Sequence, residues 1–172
     1  SDGCGVVEAV GPSVTRVSVG DRVATLFFQN WVSGRPTLAK LTSALGFPIP
    51  GAGRELGVFS QEGVSKVPDF LTDQQVATLP CAALTAWRAL VVDGRLKAGD
   101  SVLILGTGGV AIFALQLAKA MGATAIVTAS SDAKLERARA MGADFTVNYK
   151  ADADWGRTVR TWTGKRGVDH VL

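Results

Sequence analysis

The sequence predicts an α/β protein of two domains, with a mainly-β first half followed by a doubly wound parallel sheet. Three observations lead to this prediction. Residues 5–66 alternate short apolar runs of β type with turns that contain Gly or Pro. After about residue 100, apolar runs of strand length alternate with stretches of helical spacing. Glycine, at 20 of 172 residues, exceeds the usual share and has no three-residue period, which predicts many tight turns and excludes a collagen-like chain.

Composition argues against several classes of function. The net charge is only +3 and aromatic residues do not interleave with basic clusters, so no nucleic-acid partner is expected. No apolar run approaches the roughly 18–20 residues that cross a bilayer, so no membrane partner is expected either. Two cysteines, Cys4 and Cys81, are too few for a disulfide framework, which favours a reducing, cytoplasmic location. The one histidine, His170, lies inside an apolar strand and is interpreted as a packed residue rather than a general base.

The first half is predicted to contain short strands joined by turns. These strands are residues 5–10, 14–19, 22–26, 57–60 and 64–67. Residues 30–53 contain several prolines and glycines without a clear period and are predicted to form a long loop. A helical register begins at Thr72, which Thr72 or Asp73 can cap, and a second helix covers residues 85–92. The predicted domains are residues 1–88 and 89–172.

The second half follows a regular strand–helix repeat of about 20 residues. The predicted strands are residues 101–105, 125–129, 145–148 and 168–172, and the predicted helices are residues 110–121, 132–141 and 151–162. Such repeats imply right-handed crossovers and a parallel sheet that is buried on both faces. This is the Rossmann pattern, truncated after its fourth strand.

The strongest chemical signal lies between the first of these strands and its helix. Gly106, Thr107, Gly108, Gly109 and Val110, followed by Ala111, match G-x-G-x-x-A. In such a loop the first glycine makes a tight turn, and the second lets the backbone approach a pyrophosphate that rests on free N–H groups at the helix start. The sequence therefore predicts a dinucleotide site. A glycine-rich turn in another kind of α/β sheet is the alternative reading.

The end of the second strand bears on which dinucleotide binds. NAD sites place Asp or Glu about 20 residues past the loop to accept from the ribose 2′-OH, whereas this chain has Ser130 and Ser131 there. Asp132 follows as the first residue of a helix, where its negative charge can simply interact with the positive end of the helix dipole. Lys134 could meet a 2′-phosphate together with the serine hydroxyls, or it could be an ordinary solvated lysine. The missing acid and the available cation favour NADP over NAD.

Several ordered motifs resemble the medium-chain dehydrogenase/reductase superfamily. They are Gly5-x-Val7-x-x-Val10-Gly11, the stretch from Val19 to Val23, the stretch from Leu79 to Trp87, Gly99-Asp100-Ser101-Val102, and the Gly106 loop. Within the superfamily, the chain is most similar to the zinc-independent quinone-oxidoreductase-like branch. The match covers nearly the whole chain, and the 30–53 loop is its least informative part.

The resemblance implies a partial GroES-like catalytic domain, a partial Rossmann domain, and hydride transfer with NAD(P)H in the cleft between them. It also implies further sequence on both sides of this chain, and a homodimer when the protein is full length. By the same resemblance, Thr85 lies near the nicotinamide, Ser130 and Lys134 contact the 2′-phosphate, and Tyr149 packs against the cofactor. Tyr149 could otherwise be an ordinary amphipathic residue at a strand end.

Zinc is not expected. Zinc-dependent members of the superfamily use a His-Glu pair just before the strand that corresponds to residues 5–10, where this chain has Ser1 and Asp2. Cys81 matches a later zinc-ligating cysteine, but one thiolate without a histidine does not make a catalytic site of three protein ligands. The lobe of four clustered cysteines that binds structural zinc is also missing, since no cysteine lies between Cys4 and Cys81. Cys81 is therefore interpreted as a small buried apolar residue.

The predicted function is an NADPH-dependent reductase that acts on a small carbonyl, enone or quinone without metal. Gln29 and Asn30 are candidate donors to the substrate oxygen, although they are no better than other polar loop residues, and no catalytic residue is assigned. A zinc-dependent alcohol dehydrogenase and a non-catalytic NADP-binding protein remain alternatives. The isolated 172 residues are expected to be inactive, because by the resemblance they lack pieces of both domains.

Overall fold

The computed structural model describes residues 2–172. The chain forms two compact units that divide between Cys81 and Ala82. Residue 88, near which the sequence predicts the domain boundary, lies a short way beyond this division, inside a helical segment. Among the described residues, no helix combines the length and the apolar character needed to cross a membrane.

The first unit contains a small antiparallel sheet. Its strands are β1 (Cys4–Val6), β2 (Arg22–Thr25) and β3 (Val64–Lys66), and β2 lies in the middle. Gly5 pairs with Val23, and Ala24 pairs with Ser65. Only β2 has mostly buried side chains, because the two edge strands are short and largely exposed.

Two predicted strands, residues 14–19 and 57–60, do not form. In the first, backbone donors are used by side chains rather than by a neighbouring strand: the N–H groups of Thr15 and Arg16 both donate to Gln61 Oε1, at 2.9 and 3.1 Å. In the second, the Val58 side chain is 99% exposed, so no packing favours an extended strand. Apolar residues at these positions favour strands by their sequence, but in the described part of the chain these segments pair with no neighbouring strand.

The long loop and the helices after it complete the first unit. The 30–53 segment contains one short helix, α1 (Leu38–Leu41), and a 3₁₀ turn (Gln61–Gly63) precedes β3. Helix α2 (Asp73–Ala77) is capped by Thr72, one of the two predicted caps, through a reciprocal capping box between Thr72 and Gln75. The π-helical turn Leu79–Ala83 then crosses the division between the units and continues into α3 (Leu84–Trp87) and a second π-helical segment, Arg88–Asp93.

The second unit is built around a four-stranded parallel sheet. Its elements are β4 (Ser101–Leu105), α4 (Gly109–Ala120), β5 (Thr124–Ala129), α5 (Asp132–Ala140), β6 (Phe145–Asn148), α6 (Trp155–Trp162) and β7 (His170–Val171). The strand order is β6-β5-β4-β7. The chain thus moves outward from β4 to β6 and then returns to the other side of β4, which is the order expected of a Rossmann sheet and places a ligand crevice at the carboxyl end of β4.

Both faces of this sheet are buried, as the prediction requires. Ile104 and Val127 pack on one face against buried residues of α4 such as Leu115, whereas Leu103 and Ile126 pack on the other face against Val159 of α6. The two faces alternate along each strand, because successive side chains of a strand point to opposite sides. This rigid scaffold fixes the loops that leave the carboxyl ends of β4, β5 and β6.

Candidate dinucleotide site

The loop after β4 has the backbone geometry that a dinucleotide fingerprint requires. Gly106 has a φ of 97°, a left-handed conformation that side chains other than glycine rarely adopt, and its N–H donates to the Thr128 carbonyl at 3.0 Å. Gly108 is the N-cap of α4, and its carbonyl accepts from the Ile112 N–H at 2.9 Å. Ala111, in the third position of the motif, is buried against the sheet. The turn therefore leads directly from β4 into α4.

The start of α4 is open and uncapped. No side chain of the described residues caps this helix, so no capping side chain accepts a hydrogen bond from the N–H groups of its first turn. A methyl group at Gly108 would meet no atom within 4 Å, so there is free space on that side of the backbone. Free N–H groups, the positive end of a 12-residue helix and open space beside Gly108 fit a pyrophosphate.

The helix that carries Thr85 passes beside this loop within the second unit. Helix α3 packs against α4. A methyl group at Gly109 would lie 3.3 Å from Ala82 Cβ, so the chain before α3 comes close to the first turn of α4. Thr85 lies about one turn beyond Ala82, and its side chain is exposed. Thr85 therefore lies in the helix that packs against α4, about one turn beyond the residue that approaches Gly109.

The other predicted cofactor residues lie at the carboxyl ends of the two neighbouring strands. Ser130 and Ser131 follow β5, and Ser131 is the N-cap of α5 without a hydrogen bond from its own side chain to the helix. Tyr149 follows β6, and its N–H donates to the Ala129 carbonyl at 3.1 Å. Its side chain is 43% exposed. Lys134, in the first turn of α5, is exposed and forms no ion pair with any residue from 2 to 172.

Asp132 has a partner that sequence reasoning missed. Its Oδ1 accepts a hydrogen bond from Asn148 Nδ2 at 2.9 Å. Asn148 is the last residue of β6 and lies beside Ala129 in the sheet register, which brings it to the start of α5. A polar residue at the carboxyl end of a predicted parallel strand was the available signal, because such ends meet at the ligand edge of the sheet.

Gln29 is not available as a donor to a substrate oxygen. Its side chain is buried, and its Nε2 donates to the carbonyls of Leu26 and Gly63, at 2.7 and 2.9 Å. These bonds use both donors of the amide, so this candidate from the sequence is wrong. Asn30 is exposed in the same loop of the first unit.

The described residues do not form a zinc site. Among residues 2–172, no three His, Cys, Asp or Glu side chains are grouped so that they could hold a metal, and Ser1 lies outside the described residues. The Cys4 thiol donates to Asp73 Oδ1 at 3.4 Å, and burial, aided by this bond, raises the pKa of Cys4. Asp73 in turn accepts from Arg22, which lowers the pKa of its carboxyl. Cys81 is half-buried and unpaired with another cysteine.

His170 belongs to an ionic cluster at the opposite end of β4. Its Nε2 lies 3.2 Å from Asp100 Oδ2, and Lys97 Nζ lies 2.8 Å from the other oxygen of the same carboxyl. Hydrogen bonds from Lys97 and then from His170 lower the pKa of Asp100. Since Asp100 precedes β4 and the Gly106 loop follows it, His170 is separated from the candidate site by the length of the strand.

Comparisons with known proteins agree with this geometry. The family model of the alcohol dehydrogenase GroES-like domain matches residues 1–69, and that of the zinc-binding dehydrogenase domain matches residues 109–172. A zinc-type alcohol dehydrogenase-like protein from Schizosaccharomyces pombe is 42% identical over 100% of the chain and 50% of its own length. The chain belongs to the medium-chain dehydrogenase/reductase superfamily.

Solved structures of medium-chain dehydrogenases/reductases superpose well on the chain. The crystal structure of a protein from Sinorhizobium meliloti 1021, described as a possible alcohol dehydrogenase, has a TM-score of 0.88 at 48% identity and covers 100% of this chain and 51% of that one. An NAD-dependent alcohol dehydrogenase has a TM-score of 0.86 at 37% identity, with 99% and 51% covered. A mycobacterial protein complexed with NADPH has a TM-score of 0.77 at 32% identity, with 99% and 47% covered.

The relatives of this medium-chain dehydrogenase/reductase are longer than the chain, and they include proteins of both nucleotide types. The chain spans about half the length of the curated relatives it matches. Its structural relatives include both an NAD-dependent and an NADPH-bound protein, so membership is compatible with either nucleotide. The choice between them must come from this chain's own residues.

Proposed function

We propose that the protein is an NADP(H)-dependent oxidoreductase that transfers a hydride between the nicotinamide and a small carbonyl, enone or quinone, without metal. One observation carries the nucleotide preference. At the carboxyl ends of β5 and β6, the cation Lys134 has no acidic partner within residues 2–172, whereas the nearby carboxylate, Asp132, is already bound by Asn148. Such an edge favours a phosphate over a hydroxyl.

Each predicted cofactor residue has a role in this proposal. Backbone N–H groups from Gly106 to Val110 would hold the pyrophosphate, with the dipole of α4 adding to the attraction. Ser130, Ser131 and Lys134 would bind the 2′-phosphate by charge-assisted hydrogen bonds. Tyr149 would cover the adenosine end, and Thr85 would lie toward the nicotinamide end. The nicotinamide, when bound, supplies or accepts the hydride.

The proposal of a metal-free reaction rests on donor chemistry. The arriving hydride places negative charge on the substrate oxygen, which must be stabilised by a cation or by hydrogen-bond donors. Because the described residues group no three metal ligands, we assign that task to hydrogen-bond donors. We also propose that the full-length protein is a cytoplasmic homodimer, as the superfamily resemblance and the scarcity of cysteine suggest.

The variant Lys134→Ala tests the nucleotide preference. If Lys134 binds the 2′-phosphate, its loss should weaken NADPH binding by about 1.5–3 kcal/mol, or roughly 10- to 150-fold, because a hydrogen bond to a charged group is lost. NADH binding should stay unchanged. Calorimetric titration of both nucleotides measures the two affinities.

Lys165→Ala is the matched control, since Lys165 is an exposed lysine beyond α6 with no ion pair in the described part of the chain. It should leave both affinities unchanged. Equal losses for NADPH and NADH in Lys134→Ala would overturn the 2′-phosphate assignment, and failure of the wild type to bind either nucleotide would overturn the proposed function.

A zinc-dependent alcohol dehydrogenase is the second candidate function. It is favoured by the descriptions of the matching family model and of the yeast relative, which name zinc. Elemental analysis of the purified full-length protein separates the two proposals. One tightly held zinc ion per chain, whose removal abolishes activity, would favour this candidate over the metal-free reaction.

A further inference from the structure

We infer that Asn148 is a positioning residue that sets the nucleotide preference by holding the Asp132 carboxylate away from the ribose 2′ position. The inference rests on the proposed function, since it concerns the 2′-phosphate end of the same site. It assigns a role to a residue that would not itself touch the cofactor.

Asn148 has a fixed orientation. It is the last residue of β6, where it pairs with Ala129 of β5. Its Oδ1 accepts from the Lys150 N–H at 3.1 Å, so the oxygen of the amide faces the turn after β6. The Nδ2 end must then face the other way, and it donates to Asp132 Oδ1 at 2.9 Å. The acceptor bond from Lys150 thus decides which end of the amide meets the carboxylate.

Asp132 is the one acidic residue in the segment that joins β5 to the first turn of α5. Ser130 and Ser131 precede it, and Lys134 follows in the same turn. A free carboxylate here could accept from a ribose 2′-OH, as acidic residues near this strand end do in NAD sites, and it would repel a 2′-phosphate. The bond from Asn148 occupies one of its oxygens and draws the side chain toward the end of β6. The serine hydroxyls and Lys134 then face an approaching phosphate without competition.

A merely structural role for Asn148 predicts something different. The Asn148–Asp132 bond also ties α5 to β6, so its loss could loosen the whole edge of the site. Loosening would weaken NADPH and NADH together, because both share the adenosine. The ratio of the two affinities therefore separates electrostatic positioning from simple support, whereas either affinity alone does not.

The test compares Asn148→Ala, Asp132→Asn and the double variant with wild type by calorimetric titration of NADPH, NADH, 2′,5′-ADP and 5′-AMP. In Asn148→Ala the freed carboxylate should lower the NADPH:NADH affinity ratio by about 5- to 10-fold, the size of one like-charge contact near the surface. The 2′,5′-ADP:5′-AMP ratio should fall equally. In the double variant the freed group is neutral, so both ratios should return to within about 2-fold of wild type.

Gln74→Ala is the control, since Gln74 is an exposed amide residue of α2 in the first unit, and it should leave both ratios unchanged. An unchanged ratio in Asn148→Ala, or a lowered ratio that persists in the double variant, overturns the inference. These outcomes are distinct from failure of the proposed function, which wild type alone would reveal by binding no dinucleotide or by preferring NADH.

Discussion

The Asp169 side chain links two strands of the parallel sheet by hydrogen bonds. Its Oδ2 accepts from both the N–H and the hydroxyl of Ser101, each at 2.8 Å, and Arg166 donates to both of its oxygens. These hydrogen bonds hold the pKa of the Asp169 carboxyl well below its usual range, and the bond from Arg166 has the largest effect. The residue joins the segment before β7 to the first residue of β4.

Because the folded state lowers this pKa, Asp169 stabilises the fold when the pH is above the unfolded carboxyl pKa of about 4. Its contribution is lost as the pH falls below that value toward the folded pKa. We therefore expect Asp169→Asn to be less stable than wild type at pH 7, and the difference to shrink progressively below pH 4. Urea unfolding followed by circular dichroism across this range measures the change.

Asp154→Asn serves as the control for Asp169→Asn. Asp154 is exposed, and its nearest approach to Arg157 is 3.9 Å, so its ion pair should add little to stability. This variant should unfold like wild type at both ends of the pH range. A difference between Asp169→Asn and wild type that is independent of pH would contradict the assigned role of ionisation.

At the scale of single elements, the second half of the chain could be predicted closely from sequence. The strands at β4 and β6 form over the predicted residues, and helices α4 and α5 begin and end within one residue of their predicted bounds. β4, α4 and α5 each combine an apolar run or helical spacing with a glycine or serine at an end, so local signals agree with the sheet that they build.

The first half was harder to predict because its elements depend on distant partners. The apolar residues of segments 14–19 and 57–60 could not show that their backbone would lack a neighbouring strand. At the candidate site, the loop and the strand-end residues were predictable from glycine spacing and strand order. The Asn148–Asp132 bond was not, because it joins side chains 16 residues apart whose approach depends on the β5–β6 register.

The loop between β4 and α4 offers a matched pair of glycine variants. Gly106→Ala places a side chain at a φ of 97° and should lower the free energy of unfolding by about 1–2 kcal/mol. Gly108→Ser should be neutral or stabilising, because the position is an extended N-cap with open space around its Cβ, and serine is a preferred N-cap.

Nucleotide binding should separate these two variants further. The serine in Gly108→Ser would fill the space beside the backbone and compete for the N–H groups of α4, so NADPH binding should weaken by at least about 10-fold. Chemical denaturation and calorimetric titration of each variant give both quantities. A Gly108→Ser protein that binds NADPH as tightly as wild type would place the phosphates elsewhere.

At the scale of the whole molecule, every predicted cofactor residue lies in the second unit, from Thr85 to Tyr149. That unit holds the larger core, in which the side chains of Val102, Ile104, Ala125 and Ile126 are fully buried. The first unit has a smaller sheet and a 30–53 loop with several exposed apolar side chains, among them Val32, Leu38 and Phe47. The two units should therefore differ in local stability and in their response to the nucleotide.

Hydrogen exchange followed by mass spectrometry tests this division of roles. Amides of β4 and β5 should exchange slowest, because these two strands are central in a sheet that is covered on both faces. Adding 2′,5′-ADP should slow exchange at residues 130–134 and around residue 149, and NADPH should extend the protection to residues 106–110. The strands β2 and β3 should show no added protection with 2′,5′-ADP, since this ligand carries only the adenosine end of the nucleotide. Protection confined to the first unit would contradict the site, because a nucleotide held by the α4 N-terminus must slow exchange of the amides that bind it.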